Sequence, residues 1–497
     1  MKSSDESSRS LKPFHLTRRS RARRFIVAFW IVFVAWFCVG PWHRSWIEST
    51  LFSPPIETAN ASQWALLKES PSVVSRGLLE VGASSVDLTS RLELALGEEG
   101  VKQLPLAGYG KHVFSRSNLG VSDPLRIRAL SIRNGTSHLC LVSADLLLIN
   151  QIIVDRVMQR LLQDGLHLSR EQLVFGATHT HSGYGGYAGK LLDIPSVGWP
   201  RAKVLDVIVE GMAEAILTAT AHHAPAELAS SSRDLREGGY ITHRIDSELP
   251  TNDWLDIVAI RNSDTKVPLA TVAVFSAHAT CHSSHDHRVS ADYPGVLCEL
   301  LERTYHAPAL FLAGSVGSMR PSDFGKPRSK WSGWLGCLLA LEAVDMIQHM
   351  PEYRANVALG VAGIELNLPT PQLKLSRDWR LSPILSGVLC PSSALLQAVR
   401  LDDRVILTTP CDFSGELALD MRNATPGVTS IVTSFNGNYV GYILPDVYYD
   451  RETYEARTMS ILGPQAASCF QNAMSRLEGQ VLDSIREIDL AGPIPPK

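Results

Sequence analysis

The chain has 497 residues, a net charge of −3, 45% hydrophobic residues and 20% charged residues. This composition excludes an intrinsically disordered protein and allows one large domain or two ordinary ones. The mild acidity beyond the amino terminus gives no reason to expect nucleic-acid binding, and eight scattered cysteines without a Cys-x-x-Cys pair indicate neither a zinc ribbon nor a disulfide framework.

The amino terminus is a basic segment followed by an apolar run. Residues 1–24 carry eight lysines or arginines against two acids, and residues 25–40 carry no charge. We predict a basic cytoplasmic tail over residues 1–24 and a transmembrane signal anchor over residues 25–42, because positive flanks stay on the cytoplasmic side. A cleaved signal peptide is the alternative. Either an uncleaved anchor or a cleaved signal peptide would export the rest of the chain to a periplasmic or other extracytoplasmic location. The uncleaved anchor would also hold the chain at the membrane.

A polar, proline-containing segment over residues 43–76 predicts a stalk, and a catalytic domain is predicted over residues 77–490. In that domain apolar strand-like runs alternate with amphipathic helices, which indicates an α/β fold with a layered mixed sheet and flanking helices. The predicted strands cover residues 129–132, 139–143, 173–176, 257–260, 270–276, 309–313, 405–408 and 429–433. The predicted helices cover residues 152–164, 203–222, 293–303, 334–349, 414–422 and 465–486. Several prolines predict an irregular excursion over residues 367–391.

Histidines follow two of the predicted strands. His179 and His181 come after the strand at 173–176, and His278 comes after the strand at 270–276. Alternate residues of an extended segment point the same way, so His179 and His181 can face one cavity. Neutral imidazole is a preferred zinc ligand, and ligand sites lie at the carboxyl ends of such strands. The pattern predicts a metal-dependent hydrolase.

Other polar residues near the second segment have competing interpretations. His278 and His282 have the i, i+4 spacing of two ligands on a helix, but they follow a strand directly. We therefore favour His278 as a ligand and interpret His282, His285 and His287 as loop residues. Asp292 either orients a ligand histidine or caps the helix that follows it.

Several segments, in order along residues 78–475, resemble those of the neutral/alkaline (non-lysosomal) ceramidase family, in its amino-terminal catalytic domain. The most specific is Gly-Ala-Thr-His179-Thr-His181-Ser-Gly-Tyr-Gly-Gly-Tyr, which is similar to the family's Thr-His-Thr-His-Ser-Gly-Pro-Gly-Gly block. The other similar segments are Thr242-His-Arg244, Phe275-Ser-Ala-His278-Ala-Thr with Asp292 downstream, Thr409-Pro-Cys-Asp412-Phe, Asn438-Tyr-Val-Gly-Tyr442-Ile and Tyr454-Glu455.

The resemblance implies a set of site residues. The implied zinc ligands are His179, His278, Asp412 and Tyr442. The implied catalytic residues are His181 as the base beside a zinc-activated water, Tyr454 as a donor to the developing oxyanion and Arg244 as a substrate or transition-state contact. The family has glutamate where this chain has Asp412, and Glu416, one helical turn later, is the alternative carboxylate ligand.

One departure concerns the substrate. Arg320 stands where the family carries a functionally important serine. Arginine cannot act as a nucleophile, but it can bind a carboxylate or phosphate, and Asp323 is a possible partner within the chain. We therefore include Arg320 among the candidate catalytic residues and consider a substrate with an anionic group beside it.

Together these features predict a membrane-anchored, zinc-dependent amidohydrolase that cleaves the amide bond of a ceramide-like N-acyl lipid. The expected cofactor is Zn²⁺, and the expected partners are the lipid substrate and the membrane, with no nucleic acid. The alternative is a catalytically weak or inactive ceramidase-like lipid-binding protein, because the family's active-site serine position is Arg320. The pair His181 and Tyr454 favours the enzyme, since a binding protein has little need of a base and an oxyanion donor.

Overall fold

Twelve strands form one mixed sheet in this computed structural model, which describes residues 18–45, 47, 66–115, 118–135 and 137–490. The described strands, including four that lie outside this sheet, are β1 (Leu66–Asp87), β2 (Arg126–Asn134), β3 (Ser137–Ala144), β4 (Leu173–Ala177), β5 (Ala224–Asp234), β6 (Ile241–His243), β7 (Trp254–Asn262), β8 (Pro268–Phe275), β9 (Ala309–Ala313), β10 (Met319–Pro321), β11 (Asn356–Asn367), β12 (Ser393–Leu401), β13 (Arg404–Thr408), β14 (Asp412–Phe413), β15 (Thr429–Thr433) and β16 (Tyr442–Ile443). The helices are α1 (Arg18–Val39), α2 (Leu88–Leu96), α3 (Glu98–Lys102), α4 (Gly110–Ser115), α5 (Gln151–Gln163), α6 (Ile194–Val197), α7 (Ala202–Ala221), α8 (Asp292–Tyr305), α9 (Trp331–Gln348), α10 (Pro383–Leu389), α11 (Gly415–Arg422) and α12 (Ala466–Leu490).

The sheet branches at its longest strand, β1. Its main path runs β15-β13-β12-β11-β1-β5-β7-β8-β9, and a branch of β2, β3 and β4 starts from β1. The first part of β1 pairs with β11, and its last part pairs with β2 and, over a few residues, with β5. The pairs β3–β4, β8–β9 and β13–β15 are parallel, and the other pairs of this sheet are antiparallel. The small ribbons β6–β10 and β14–β16 lie apart from it.

The sheet curls so that its three terminal strands, β4, β9 and β15, meet. The Ser434 backbone N–H, just after β15, donates to the carbonyl of Ala313 in β9 at 2.8 Å. The Asn436 side-chain amide donates to the carbonyl of Phe175 in β4 at 3.2 Å. Because β4, β9 and β15 each run parallel to a neighbouring strand, their carboxyl ends meet at one edge of the fold.

Apolar side chains cover both faces of the curled sheet. The inner faces share one core that includes Val81, Leu141, Val272, Leu359 and Ile406, each at most 2% exposed. A second core lies between the strands and helices α5, α7, α8 and α9, and α12 covers β11, β12 and β13. The predicted α/β fold with a layered mixed sheet and flanking helices is confirmed.

The structure corrects the boundary between stalk and domain. Residues 66–76, predicted as stalk, lie in β1 and pair with β11. The register shifts between Ser70 and Val73, so the alternation of apolar and polar residues that marks a strand is broken there. Residues 48–65 of the predicted stalk and residues 1–17 of the basic tail lie outside the described residues.

The predicted anchor falls in helix α1, whose uncharged part, residues 25–39, is largely exposed. Within the described residues, however, no helix has both the length and the apolar character to cross a membrane. The predicted transmembrane helix over residues 25–42 is therefore not confirmed. The helix ends before Gly40, and its fifteen uncharged residues rise only about 22 Å, less than the hydrocarbon core of a bilayer.

Candidate metal centre

The carboxyl ends of the parallel strands carry the polar residues of the centre. His179 follows β4, His278 follows β8, and Asp412 follows β13. Asp412 and Tyr442 are paired in the short parallel ribbon β14–β16. Loops that leave these strand ends thus bring together four residues from distant parts of the sequence.

Three imidazole nitrogens meet at the centre. The Nε2 atoms of His179 and His278 are 3.0 Å apart, those of His181 and His278 are 3.0 Å apart, and those of His181 and His179 are 3.1 Å apart. His179 and His278 are buried, and His181 is half-buried. This group of histidines could hold a metal ion.

The protonation of these rings favours a cation between them. The Nδ1 of His179 donates to the Leu147 carbonyl at 2.6 Å, so its Nε2 presents a lone pair. Burial lowers the pKa of His179 to about 3 and the pKa values of His181 and His278 well below their usual range. Neutral rings cannot all donate to one another at 3.0 Å, whereas a bound cation would accept lone pairs from such rings.

Asp412 adds a carboxylate beside the histidines. Its Oδ2 accepts a hydrogen bond from the Tyr439 hydroxyl at 2.7 Å, and its buried Oδ1 has no hydrogen-bond partner. That Oδ1 lies 3.8 Å from the His179 Nε2 and 3.7 Å from the His278 Nδ1. Burial raises the pKa of Asp412 to about 7, although Tyr439 and Arg244 lower it. An unpartnered buried carboxylate oxygen is costly, so it too fits a cation.

Arg244 connects the histidines to the tyrosines. Its Nη1 lies 3.1 Å from the His278 Nδ1 and 3.4 Å from the Tyr442 hydroxyl, and its Nε pairs with the Glu455 carboxylate at 2.7 Å. The His278 Nδ1 also lies 3.3 Å from the Val316 carbonyl, which accepts its proton when Nε2 binds a cation. Tyr442 is buried, and burial raises its pKa.

Tyr454 lies at the outer edge of the centre. It is 55% exposed, and its ring centroid is 6.4 Å from that of Tyr442. Glu455, the next residue, begins a π-helical turn that ends at Met459. Tyr454 can therefore contact both a molecule from solvent and the buried part of the centre.

Two aromatic residues that shape the centre, Phe435 and Tyr439, were not predicted from the sequence. His179 and Phe435 both have the left-handed φ of 62°, and their rings stack 3.6 Å apart at 5°. Non-glycine residues in this conformation store strain that neighbouring structure must hold. Tyr439, the donor to Asp412, lies in the segment that carries Tyr442, so the resemblance could have pointed to it. Nothing in the sequence marks Phe435.

Some candidate residues lie outside the centre. Arg320 is exposed in β10, and the described part of the chain gives its side chain no ion pair, with Asp323 or any other carboxylate. Glu416 contacts His243, 2.6 Å away, and not the three histidines. Asp292 is the first residue of α8, whose N-cap is Ala291, and it accepts from the backbone N–H groups of Tyr293 and His282. Neither contact involves His278.

The three later histidines are loop residues, as predicted. His282 is nevertheless buried, between Asp286 at 3.0 Å and Ser332 at 3.2 Å. His285 lies 3.5 Å from Lys111. His287 packs on His112, with ring centroids 4.6 Å apart.

The fold and the site define a mixed α/β protein with convergent histidines that could hold a metal ion. A family model described as neutral/alkaline non-lysosomal ceramidase, N-terminal, matches residues 81–322. This match confirms, over residues 81–322, the resemblance to the family seen in the sequence.

Individual relatives agree with the family. A neutral ceramidase of Mycobacterium tuberculosis is 29% identical over 253 residues, which cover 48% of this chain and 38% of that protein. The neutral ceramidase of Pseudomonas aeruginosa is 25% identical over 267 residues, which cover 50% of this chain and 40% of that protein. The matched segments thus span well under half the length of these relatives.

A crystal structure of neutral ceramidase from Pseudomonas aeruginosa shares the fold. It superposes with a TM-score of 0.70 at 17% identity, covering 83% of this chain and 75% of that one. A solved structure described as ceramidase complexed with C2 gives a TM-score of 0.68 at 16% identity, covering 82% of this chain and 76% of that one.

Proposed function

We propose that this protein is a zinc-dependent amidohydrolase that cleaves the amide bond of a ceramide-like N-acyl lipid. One observation carries the proposal: three imidazole nitrogens lie within 3.1 Å of one another, beside a buried carboxylate oxygen without a partner. Imidazoles, a carboxylate and a phenol form an open ligand set of the catalytic kind, unlike the closed Cys/His sets of structural zinc. The relatives named neutral ceramidase support the substrate class.

His179, His278 and Asp412 would hold the ion, with the Tyr442 phenol as the fourth ligand. Asp412 is one methylene shorter than glutamate, and its pairing with Tyr442 in β14–β16 brings its backbone close to the centre. When bound, zinc polarises a carbonyl and lowers the pKa of water.

His181 is the proposed base. Its Nε2 faces the centre, and its buried Nδ1 has no hydrogen-bond partner. Ligand histidines usually donate their outer N–H to an acceptor, as His179 does to Leu147. The ring of His181 is neutral at pH 7, because burial lowers its pKa, so its Nε2 can accept a proton from water.

Tyr454 and Arg244 would act on the substrate. The Tyr454 hydroxyl, at the entrance, can donate to the oxyanion that forms on the amide carbonyl. Arg244 is fixed by Glu455 and presents its charge beside His278 and Tyr442. Arg320 is exposed and free of an ion pair in the described residues, which suits contact with an anionic substrate group away from the ion.

Zinc content and hydrolysis before and after chelation test the proposal. We expect about one zinc per chain and cleavage of at least one N-acyl lipid in a panel, lost on chelation and restored by zinc. His179→Ala or His278→Ala should lower the zinc content at least about tenfold, whereas His285→Ala, in the loop, should not. Full zinc retention in the double variant would rule out this site. Bound zinc without hydrolysis would instead favour a lipid-binding protein.

The location of the protein is a separate proposal. We propose that the domain is exported and stays attached to a membrane through its amino-terminal segment. The exposed apolar residues of α1 and the basic residues that precede them support this proposal.

A further inference from the structure

A buried polar network lies next to the metal centre and is built around Glu416. The carboxylate of Glu416, in the first turn of α11, accepts from the His243 Nε2 at 2.6 Å and from the Ser318 hydroxyl at 2.6 Å. The Ser414 hydroxyl is a third donor to it. The His243 Nδ1 accepts from the backbone N–H groups of Ile245 and Asp246, so its proton is on Nε2 and points to Glu416.

Both oxygens of Glu416 are therefore occupied. Burial alone would raise its pKa, but the hydrogen bonds from His243, Ser318 and Ser414 outweigh it and hold the pKa at about 2. The His243 side chain is fully buried, and that of Glu416 is 12% exposed. A buried carboxylate of this kind is stable only while its donors stay in place. These hydrogen bonds exclude Glu416 as a substitute metal ligand unless the network rearranges.

The network joins the two segments that carry Arg244 and Asp412. His243 precedes Arg244, whose backbone N–H donates to the Ser318 carbonyl at 2.7 Å. On the other side, the Gly415 backbone N–H donates to the Ser318 hydroxyl at 3.0 Å, and Ser414 lies two residues after Asp412. Glu416 thus fixes the ribbon β6–β10 to the loop that presents Asp412.

Helix capping does not account for these contacts. A carboxylate in a first helical turn gains from the helix dipole, but α11 has only eight residues, and the donors to Glu416 include His243, in β6, and Ser318, the residue before β10. We infer that Glu416 is a positioning residue: it holds the Arg244 backbone through Ser318 and so sets, together with the Glu455 ion pair, where the Arg244 guanidinium lies relative to the metal centre. The inference rests on the proposed function, because it assigns Arg244 its place in that site.

A double-mutant cycle between Glu416 and Arg244 tests the inference. Glu416→Ala should lower kcat about tenfold to a hundredfold, because small misplacements at an active site have effects of this size. Arg244→Ala should also lower kcat, and the double variant should be no slower than Arg244→Ala alone. Glu478→Ala is the matched control, because Glu478 is another buried glutamate, bonded to Ser430 in β15. The Glu478→Ala substitution should change kcat little. In a double variant with Arg244→Ala, the two effects on kcat should multiply.

Zinc affinity in the same variants gives a readout that does not need hydrolysis. Arg244→Ala removes a positive charge beside His278, so it should tighten zinc binding about tenfold, and Glu416→Ala should abolish that gain. If Glu416→Ala does not fold, Glu416→Gln, which leaves one acceptor, enters the cycle in its place. If the Glu416 and Arg244 substitutions are coupled in zinc affinity but the wild type hydrolyses none of the lipids, the inference is upheld and the substrate assignment is wrong. Independent, multiplying effects on both kcat and zinc affinity would show that Glu416 only stabilises the fold.

Discussion

The three imidazoles at the centre differ in their outer nitrogens. Backbone carbonyls lie near the Nδ1 atoms of His179 and His278, whereas the Nδ1 of His181 is buried without a partner. The inner nitrogens are equally spaced, but the outer contacts differ. The Leu147 carbonyl holds the His179 ring in one tautomer, the Arg244 guanidinium and the Val316 carbonyl both lie near the His278 Nδ1, and no hydrogen bond fixes the tautomer of His181. That freedom is what a proton-transferring histidine needs.

Replacement of His181 separates the base from the ligands. His181→Ala should keep about one zinc per chain and lower kcat roughly a hundredfold to ten-thousandfold, which is the usual contribution of a general base. Metal analysis and steady-state kinetics on the same preparation measure both values. Loss of zinc from this variant, to the extent seen in His179→Ala, would make His181 a third ligand and leave the base unidentified.

We predict that Asp412 makes the affinity of the proposed site for zinc depend on pH. Its pKa of about 7 means that the carboxyl is protonated in acid and must lose that proton before it binds a cation. Affinity should be constant above about pH 7 and fall about tenfold per pH unit below it. The pKa of His179, about 3, keeps that ring out of this range. Competition with a chelator at several pH values measures the slope, and Asp412→Asn should bind more weakly and lose the slope. An unchanged slope in Asp412→Asn would assign the proton to another group.

The elements of the centre depend on close backbone contacts. The loop after β9 passes the Asp412 backbone so closely that a Cβ on Gly317 would lie 2.5 Å from the Asp412 carbonyl oxygen. Gly317→Ala should therefore cost about 1–3 kcal/mol in unfolding free energy and weaken zinc binding, because the loop or Asp412 must move. Gly333→Ala, in α9 with open space around it, should be neutral or gain up to about 1 kcal/mol. Thermal unfolding and zinc titration compare the two, and equal behaviour would contradict the packing seen here.

The sequence predicts elements well where apolar residues are regular. The run around Val272 and Val274 in β8 and the amphipathic face of α5 are clear because their periodicities are those of one secondary structure. It does not predict β5, whose second half is Ser-Ser-Ser-Arg-Asp, or the start of β1, where a register shift breaks the alternation. The predicted strands also omit β11 and β12, although both are largely apolar. β5 and the start of β1 are stabilised by pairing with partners far along the chain, which no local pattern records.

The same distinction applies to the centre. His179, His181 and His278 were predictable, because strand ends and spacing point to them, and the family resemblance adds Asp412 and Arg244. The Glu416–His243 contact and the ring of Phe435 against His179 were not, because they join segments that only the tertiary fold brings together. Arg320, singled out by its difference from the family, lies at the surface of β10.

At the scale of the whole molecule, the proposed attachment to a membrane can be tested by fractionation. The full chain should sediment with membranes and resist extraction with high salt, because apolar contacts are not screened by ions. A variant without residues 1–42 should be recovered in the soluble fraction with its zinc. Release of the full chain by salt alone would show that the attachment is electrostatic. A trimmed soluble form from cells would favour a cleaved signal peptide.

The meeting of β4, β9 and β15 has a consequence for how the protein matures. His179 and Tyr442 are 263 positions apart, and the strands that precede residues of the centre, β4, β8 and β13, come from separate parts of the chain. During synthesis the first histidines leave the ribosome long before Asp412 and Tyr442 exist, so no partial chain holds the complete ligand set. In the proposed function, metal loading would therefore follow folding, and an exported chain would take its ion from the compartment in which it folds.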